Sequence, residues 1–147
     1  MLRRLVPATA GLFILLGSTA ASSHGVKTKS LEIVHPWTLA TLEARGEPIV
    51  RMTIKNISGR RDRLLAATTR VAGAVELRDV TGPATSRTKV PPTTLHIRSL
   101  SRVALTEDGP HLVLKGLAKP LAPYDSFVLT LVFERAGRIE VEVLVEE

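Results

Sequence analysis

Ile139-Glu140-Val141-Glu142-Val143-Leu144-Val145-Glu146 decides the fold class of this chain. Its odd-numbered residues are all aliphatic, and those between are acidic except for Leu144. Side chains of a strand alternate between two faces, so a period of two marks a strand with one face in a core and the other in water. Val50, Met52 and Ile54 alternate with Arg51, Thr53 and Lys55 in the same way. Shorter apolar runs at 31–34, 74–80, 95–97, 102–105, 111–115 and 127–133 predict further strands. Turn signals punctuate them: Asn56 to Gly59, Gly82-Pro83, Pro91-Pro92, Asp108-Gly109-Pro110 and Ala136-Gly137. No segment beyond residue 21 carries a helical period. The pattern predicts an all-β chain, an antiparallel sandwich or barrel.

The 147 residues, 44% hydrophobic and 23% charged, suit one globular domain with a real core. Arg3 and Arg4, the apolar run from Leu12 to Leu16 and the small residues from Ser18 to Ala21 have the layout of a secretory leader. The sequence thus predicts a signal peptide over 1–21, a short, polar and loose segment over 22–30, and a β domain over 31–147. An exported, periplasmic protein, soluble after cleavage, is the expectation. The leader's apolar run is shorter than the roughly 20 residues a spanning helix needs, and no later segment approaches that length, so no membrane span is expected in the mature protein.

There is no cysteine, which excludes disulfides, thiolate metal sites, a cysteine nucleophile and the usual lipoprotein attachment thiol. Without Arg3 and Arg4 the 20 basic residues become 18 against 14 acids, a mild +4. Aromatic content is 3%, and the basic residues are scattered among acids along the sequence. No basic stripe with stacking rings is visible, and nucleic acid is set aside as a partner. Catalytic motifs are missing too: there is no Gly-x-Ser-x-Gly, no His-Glu-x-x-His and no glycine-rich phosphate loop. Glu76, Asp79, Glu107 and Asp108 read as solvated charges rather than a catalytic pair. The chain is not expected to be an enzyme.

Several segments together resemble one family. They are Val34-His35-Pro36-Trp37, Met52-Thr53-Ile54-Lys55-Asn56, Asp62-Arg63-Leu64, the run from Val71 to Leu77, the run from His111 to Leu117, and Asp125 to Leu131 leading into the last strand. In order and separation they resemble the periplasmic copper chaperones of the PCuAC family over nearly the whole mature chain. The resemblance implies a cupredoxin-like antiparallel β-sandwich or barrel. It also implies copper as cargo, and as partners a cytochrome oxidase copper-site subunit or another copper chaperone.

The family's metal motif is a His or Met, ten residues, a Met, twenty-one residues, then His-x-Met. Copper(I) favours thioether sulfur and imidazole, and ligands at i and i+2 on a strand share a face. In this chain the spacing falls on Arg78, Lys89, His111 and Val113, and His111 alone is a residue the motif accepts. Val113 has no donor atom, while Arg78 and Lys89 bring cations, each costing a metal about 4 Å away roughly 1 to 4 kcal/mol. Met52 would be the one thioether left after leader removal, and its alternation with Arg51 and Thr53 makes it a core residue.

The remaining histidines carry less. His35 before Pro36 is read as structural and His96, between Leu95 and Ile97, as facing outward, because a lone histidine without a second ligand at sheet spacing is seldom a site. Cleavage after Ala21 would leave Ser22-Ser23-His24 as a terminal amine, two amides and an imidazole, a square-planar set suited to copper(II). Two functions follow from these residues. One is copper handling for cytochrome oxidase assembly with the ligand motif largely lost, using His111 with ligands from elsewhere. The other is a metal-free accessory domain in which Arg78, Lys89 and His111 form a cationic patch for an acidic protein surface or a small anion.

Overall fold

In the computed structural model, residues 25–81, 88–90 and 94–147 are described, the side chains of 80–81 and 88–90 excepted. Every regular element among them is a strand: β1 (Gly25–Lys27), β2 (Leu31–Leu39), β3 (Ile49–Asn56), β4 (Asp62–Thr69), β5 (Ala72–Thr81), β6 (Thr88–Val90), β7 (Leu95–Ile97), β8 (Arg102–Leu105), β9 (His111–Leu117), β10 (Ser126–Phe133) and β11 (Gly137–Glu146). They form a single sheet in the order β6-β5-β9-β3-β2-β11-β10-β4-β7, with β1 added to β2 and β8 to β3. The sheet curls into a nearly closed, cupredoxin-like barrel, as the alternation predicted.

The β10–β11 hairpin anchors it, paired from Ser126 opposite Leu144 to Phe133 opposite Gly137. Its inward residues Leu129, Leu131, Val141 and Val143 lie in one buried cluster with Leu31, Ile33, Ile54 and Phe133. Met52 joins that cluster, as its alternation required. The turn between these strands uses Gly137 at φ 74° and is held by Asp62, whose carboxylate accepts the backbone N–H groups of Arg135 and Ala136.

Four local features differ from the sequence expectation. β2 continues through Pro36, which has no N–H to give the ladder; the register with β3 shifts between Val34 and Trp37, and His35 adopts φ 49°. β4 escapes the period-two pattern because its ladder with β10 is irregular between Val132 and Phe133, which puts Leu65 and Ala66 side by side on the exposed surface. Within the segment expected to be loose, Gly25–Lys27 pairs with β2 and Thr28 closes the turn by bonding Leu31. β6, three residues long, pairs with β5. The predicted leader, His24, and the turns at Gly82-Pro83 and Pro91-Pro92 lie outside the described residues.

Candidate functional site

The β5–β9 ladder sets Arg78 opposite His111 and Glu76 opposite Val113. Residues directly opposite one another in a sheet share a face, so these four side chains point the same way, joined by Lys115 one pleat further along β9. Leu112 and Leu114 point to the other side, into the core cluster. Val113 also faces Ile49 of β3, and the chain entering β3 is pinned there by Leu114 N–H donating to the Pro48 carbonyl at 3.0 Å. That connection carries Glu47 onto the same face.

Glu47 organises the charges. One of its carboxylate oxygens accepts from Arg78 Nη1 at 2.7 Å and the other from Lys115 Nζ at 2.6 Å. Glu76 takes the other edge of the guanidinium, with Arg78 Nη2 at 2.8 Å and Nε at 3.2 Å. Two carboxylates and two cations thus alternate, and the face is locally neutral. The hydrogen bond from Arg78, then that from Lys115, holds the Glu47 carboxyl down at about 2. The same pairing, with Glu47 first and Glu76 second, raises Arg78 above its ordinary value.

His111 sits beside this network and is completely enclosed, with 0% of its surface exposed. Its Nδ1 lies 2.8 Å from the Gly109 carbonyl. A carbonyl only accepts, so Nδ1 carries the proton, and in the neutral ring Nε2 presents a lone pair. Among the described residues that nitrogen has no hydrogen-bond partner, although it is buried. Orientation through Nδ1 with Nε2 left open is how a metal-ligating histidine is prepared.

The other sequence candidates fall in different places. Val113 is buried. Lys89 lies on β6 opposite Val80, with its side chain outside the described residues. His96 is exposed on β7, and His35 is a half-exposed residue whose Nε2 lies 3.2 Å from Glu146 and whose ring stands 6.1 Å from Trp37. Arg51 covers Trp37 at 4.8 Å and pairs with Glu107, so Glu107 is not a partner of Arg78. Among the described residues no three or more His, Cys, Asp or Glu gather as a metal cluster. Glu47, the centre of the network, carries no signal in the sequence, since it lies 31 residues from Arg78 in a connection without motif or alternation.

The model of the LpqE-like lipoprotein family matches residues 31–145, nearly all of the β domain. The chain belongs to the LpqE-like family. Solved structures similar to this LpqE-like chain are PCuAC domains. The copper-bound PCuAC domain from PmoF2 is 27% identical, covering 84% of this chain and 97% of that one, with a TM-score of 0.68. The copper(I) form of DR1885 from Deinococcus radiodurans is 25% identical over 86% of this chain and 83% of its own, at a TM-score of 0.61. The apo PCuAC domain from PmoF1 shares the fold at a TM-score of 0.70 and 20% identity, covering 84% and 98% of the two chains. No curated protein sequence matches. The LpqE-like chain therefore has a copper-chaperone-family fold, and the resemblance noted in its sequence extends to its solved neighbours.

Copper(I) does not fit the four positions that the resemblance assigns to it. They supply one imidazole nitrogen, a valine side chain, an arginine held by two carboxylates, and a lysine. A soft four-donor set is missing among the described residues.

Proposed function

We propose that this LpqE-like protein is an exported, non-catalytic accessory of copper handling, serving cytochrome oxidase assembly through contacts with proteins rather than by carrying the ion at the family position. The observation that carries this reading is the clamp on Arg78. A guanidinium bonded to Glu76 on one edge and Glu47 on the other fills the face where two or more donors would have to converge. The same clamp argues against a free cationic patch at Arg78, because its charge is already matched. The copper-bound neighbours support the link to copper; the missing donors support the metal-free mode.

A second reading is favoured by one atom. His111 Nε2 is unpartnered, and copper held there with ligands from another copper chaperone or an oxidase copper-site subunit would satisfy it. Its complete enclosure weighs the other way, since a partner's ligand cannot reach it unless the chain around the ring opens. The two modes separate in cells. If the accessory role holds, deleting the gene lowers the copper content of cytochrome oxidase, and the His111→Leu protein restores it fully. Restoration by the native protein alone would favour the second reading, and an unchanged oxidase after deletion would remove both.

A further inference from the structure

Seven of the cations that are scattered along the sequence are gathered at one end of the barrel. Four connections meet there: the β1–β2 turn, the β3–β4 loop, the β7–β8 loop and the β10–β11 turn. Backbone hydrogen bonds lash the first three together, from Ile57 N to Ser30 O at 2.9 Å, Leu100 N to Ser58 O at 3.1 Å and Asn56 N to Ser101 O at 2.7 Å. Asp62 ties in the fourth through Arg135 and Ala136. Lys27 and Lys29 flank the first turn, and Arg60 and Arg61 stand in the second connection. Arg98 and Arg102 border the third, and Arg135 stands in the fourth; all of these side chains are exposed.

Little of this charge is answered. Glu32 pairs with Lys55 at 3.7 Å and Glu134 with Arg63 at 2.8 Å, while Asp62 is buried and its oxygens are taken by backbone N–H groups. The seven cations just placed form no ion pair among the described residues, against a formal charge of +6 for the entire chain. Apolar side chains stand among them. Leu100 is 75% exposed and Ile57 39%, and the two line a shallow cleft of about 490 Å³ with Lys55, Asn56, Ser101 and Arg102. Leu100 is held at φ 51°, a backbone region that residues with a Cβ rarely enter and where glycine or asparagine is far easier. A strained loop that offers leucine to water points to a use for that side chain.

We propose that this end of the barrel docks on an anionic lipid surface, the cations meeting headgroups while Leu100 and Ile57 enter the boundary with the acyl chains. Lysines and arginines beside an anionic leaflet add attraction residue by residue without matched geometry, which suits cations carried on four separate connections at one end. Protein interfaces are instead anchored by aromatic side chains among mixed polar pairs, and among the described residues this end exposes neither an aromatic ring nor an unpaired acid. The lack of rings equally leaves nothing for nucleic-acid bases to stack on. This surface shares no residue with the Arg78–His111 face and does not depend on the copper reading.

Sedimentation of the full-length chain with vesicles tests it. Phosphatidylcholine vesicles containing about one third phosphatidylglycerol should carry the protein down at low salt, phosphatidylcholine alone should not, and binding should fade as salt screens the charges. Reversing Arg60, Arg61, Arg98 and Arg102 to Glu should weaken binding at least about a hundredfold, and Leu100→Ser several-fold at every salt concentration, each variant first shown to keep its strand spectrum. A variant that cannot fold is replaced by Arg98→Glu alone, for which a several-fold loss is expected. Equal binding to neutral and anionic vesicles, or reversal variants that bind like the native chain, would overturn the proposal. Retention on immobilised poly-glutamate with no binding to either vesicle would overturn it in favour of an acidic protein partner.

Discussion

Arg78 Nη1 lies 2.7 Å from Glu47 Oε2, joining a residue of β5 to the connection that enters β3. Through this contact a face that the family resemblance marks for a metal becomes a run of alternating charges, Glu76, Arg78, Glu47 and Lys115. The consequences can be measured one residue at a time.

The pairing gives Glu47 a pH signature. Its carboxyl is held at about 2 in the folded chain against an ordinary 4.5, chiefly by Arg78 and then by Lys115. The unfolded chain binds this proton more tightly, so the stabilisation is fully present above pH 4.5 and is lost as pH falls towards 2. The Tm difference between the native protein and Glu47→Gln is therefore expected to be constant near neutral pH and to shrink as the solution is acidified through that window. A difference that holds steady down to the acid end would show that the ion pairs contribute nothing.

His111 should tolerate an apolar replacement. A buried nitrogen without a partner costs stability, and a leucine of similar volume removes that cost while giving up only the bond to Gly109. Urea unfolding of His111→Leu is expected within about 1 kcal/mol of the native protein. His111→Ala, which leaves a cavity, should lose about 2 kcal/mol or more.

Neighbours on β10 should behave oppositely. Leu131 is fully buried in the core cluster, and its replacement by Ala should cost about 2–5 kcal/mol in urea unfolding. Val128 points outward from the same strand, and Val128→Ala should stay within about 0.5 kcal/mol. Similar losses at both positions would contradict the assigned faces.

Much of this contrast is legible in the sequence itself. β3 and β11 bury one face and wet the other, so hydrophobicity alternates along them, and with the apolar run of β10 the fold class follows. β4 is hidden because its irregular pairing places Leu65 and Ala66 together on the surface, and β1 because three residues are too few to show a period. His111 reads as a strand residue beside a loop, yet the run from His111 to Leu114 is buried throughout, on the face that carries Arg78 as well as on the core side. Arg78 is legible as a misfit at a ligand position. Its partner Glu47 is not, because contacts between segments far apart in sequence leave no periodic trace. The basic end is likewise invisible: its cations come from four connections that meet only when the barrel closes.

Asp62 is expected to matter more than its place at a strand start suggests. It is buried and accepts N–H groups from Arg63, Arg135 and Ala136, binding the β3–β4 loop to the β10–β11 turn. Asp62→Ala strands those donors and should cost about 2–4 kcal/mol, with Asp62→Asn recovering part of it, as read by chemical unfolding.

The metal-free character of the Arg78–His111 face is tested most directly by titrating copper(I) against a chromogenic chelator, using the native chain and the triple variant Arg78→His, Lys89→Met, Val113→Met. With His111 the variant restores two imidazoles and two thioethers at the family spacing and removes the guanidinium that Glu47 and Glu76 hold. The variant is expected to bind at least about a hundredfold more tightly, roughly 2.7 kcal/mol, while the native chain leaves the ion with the chelator. Tight binding by the native chain, equal to that of the variant, would contradict a metal-free mode.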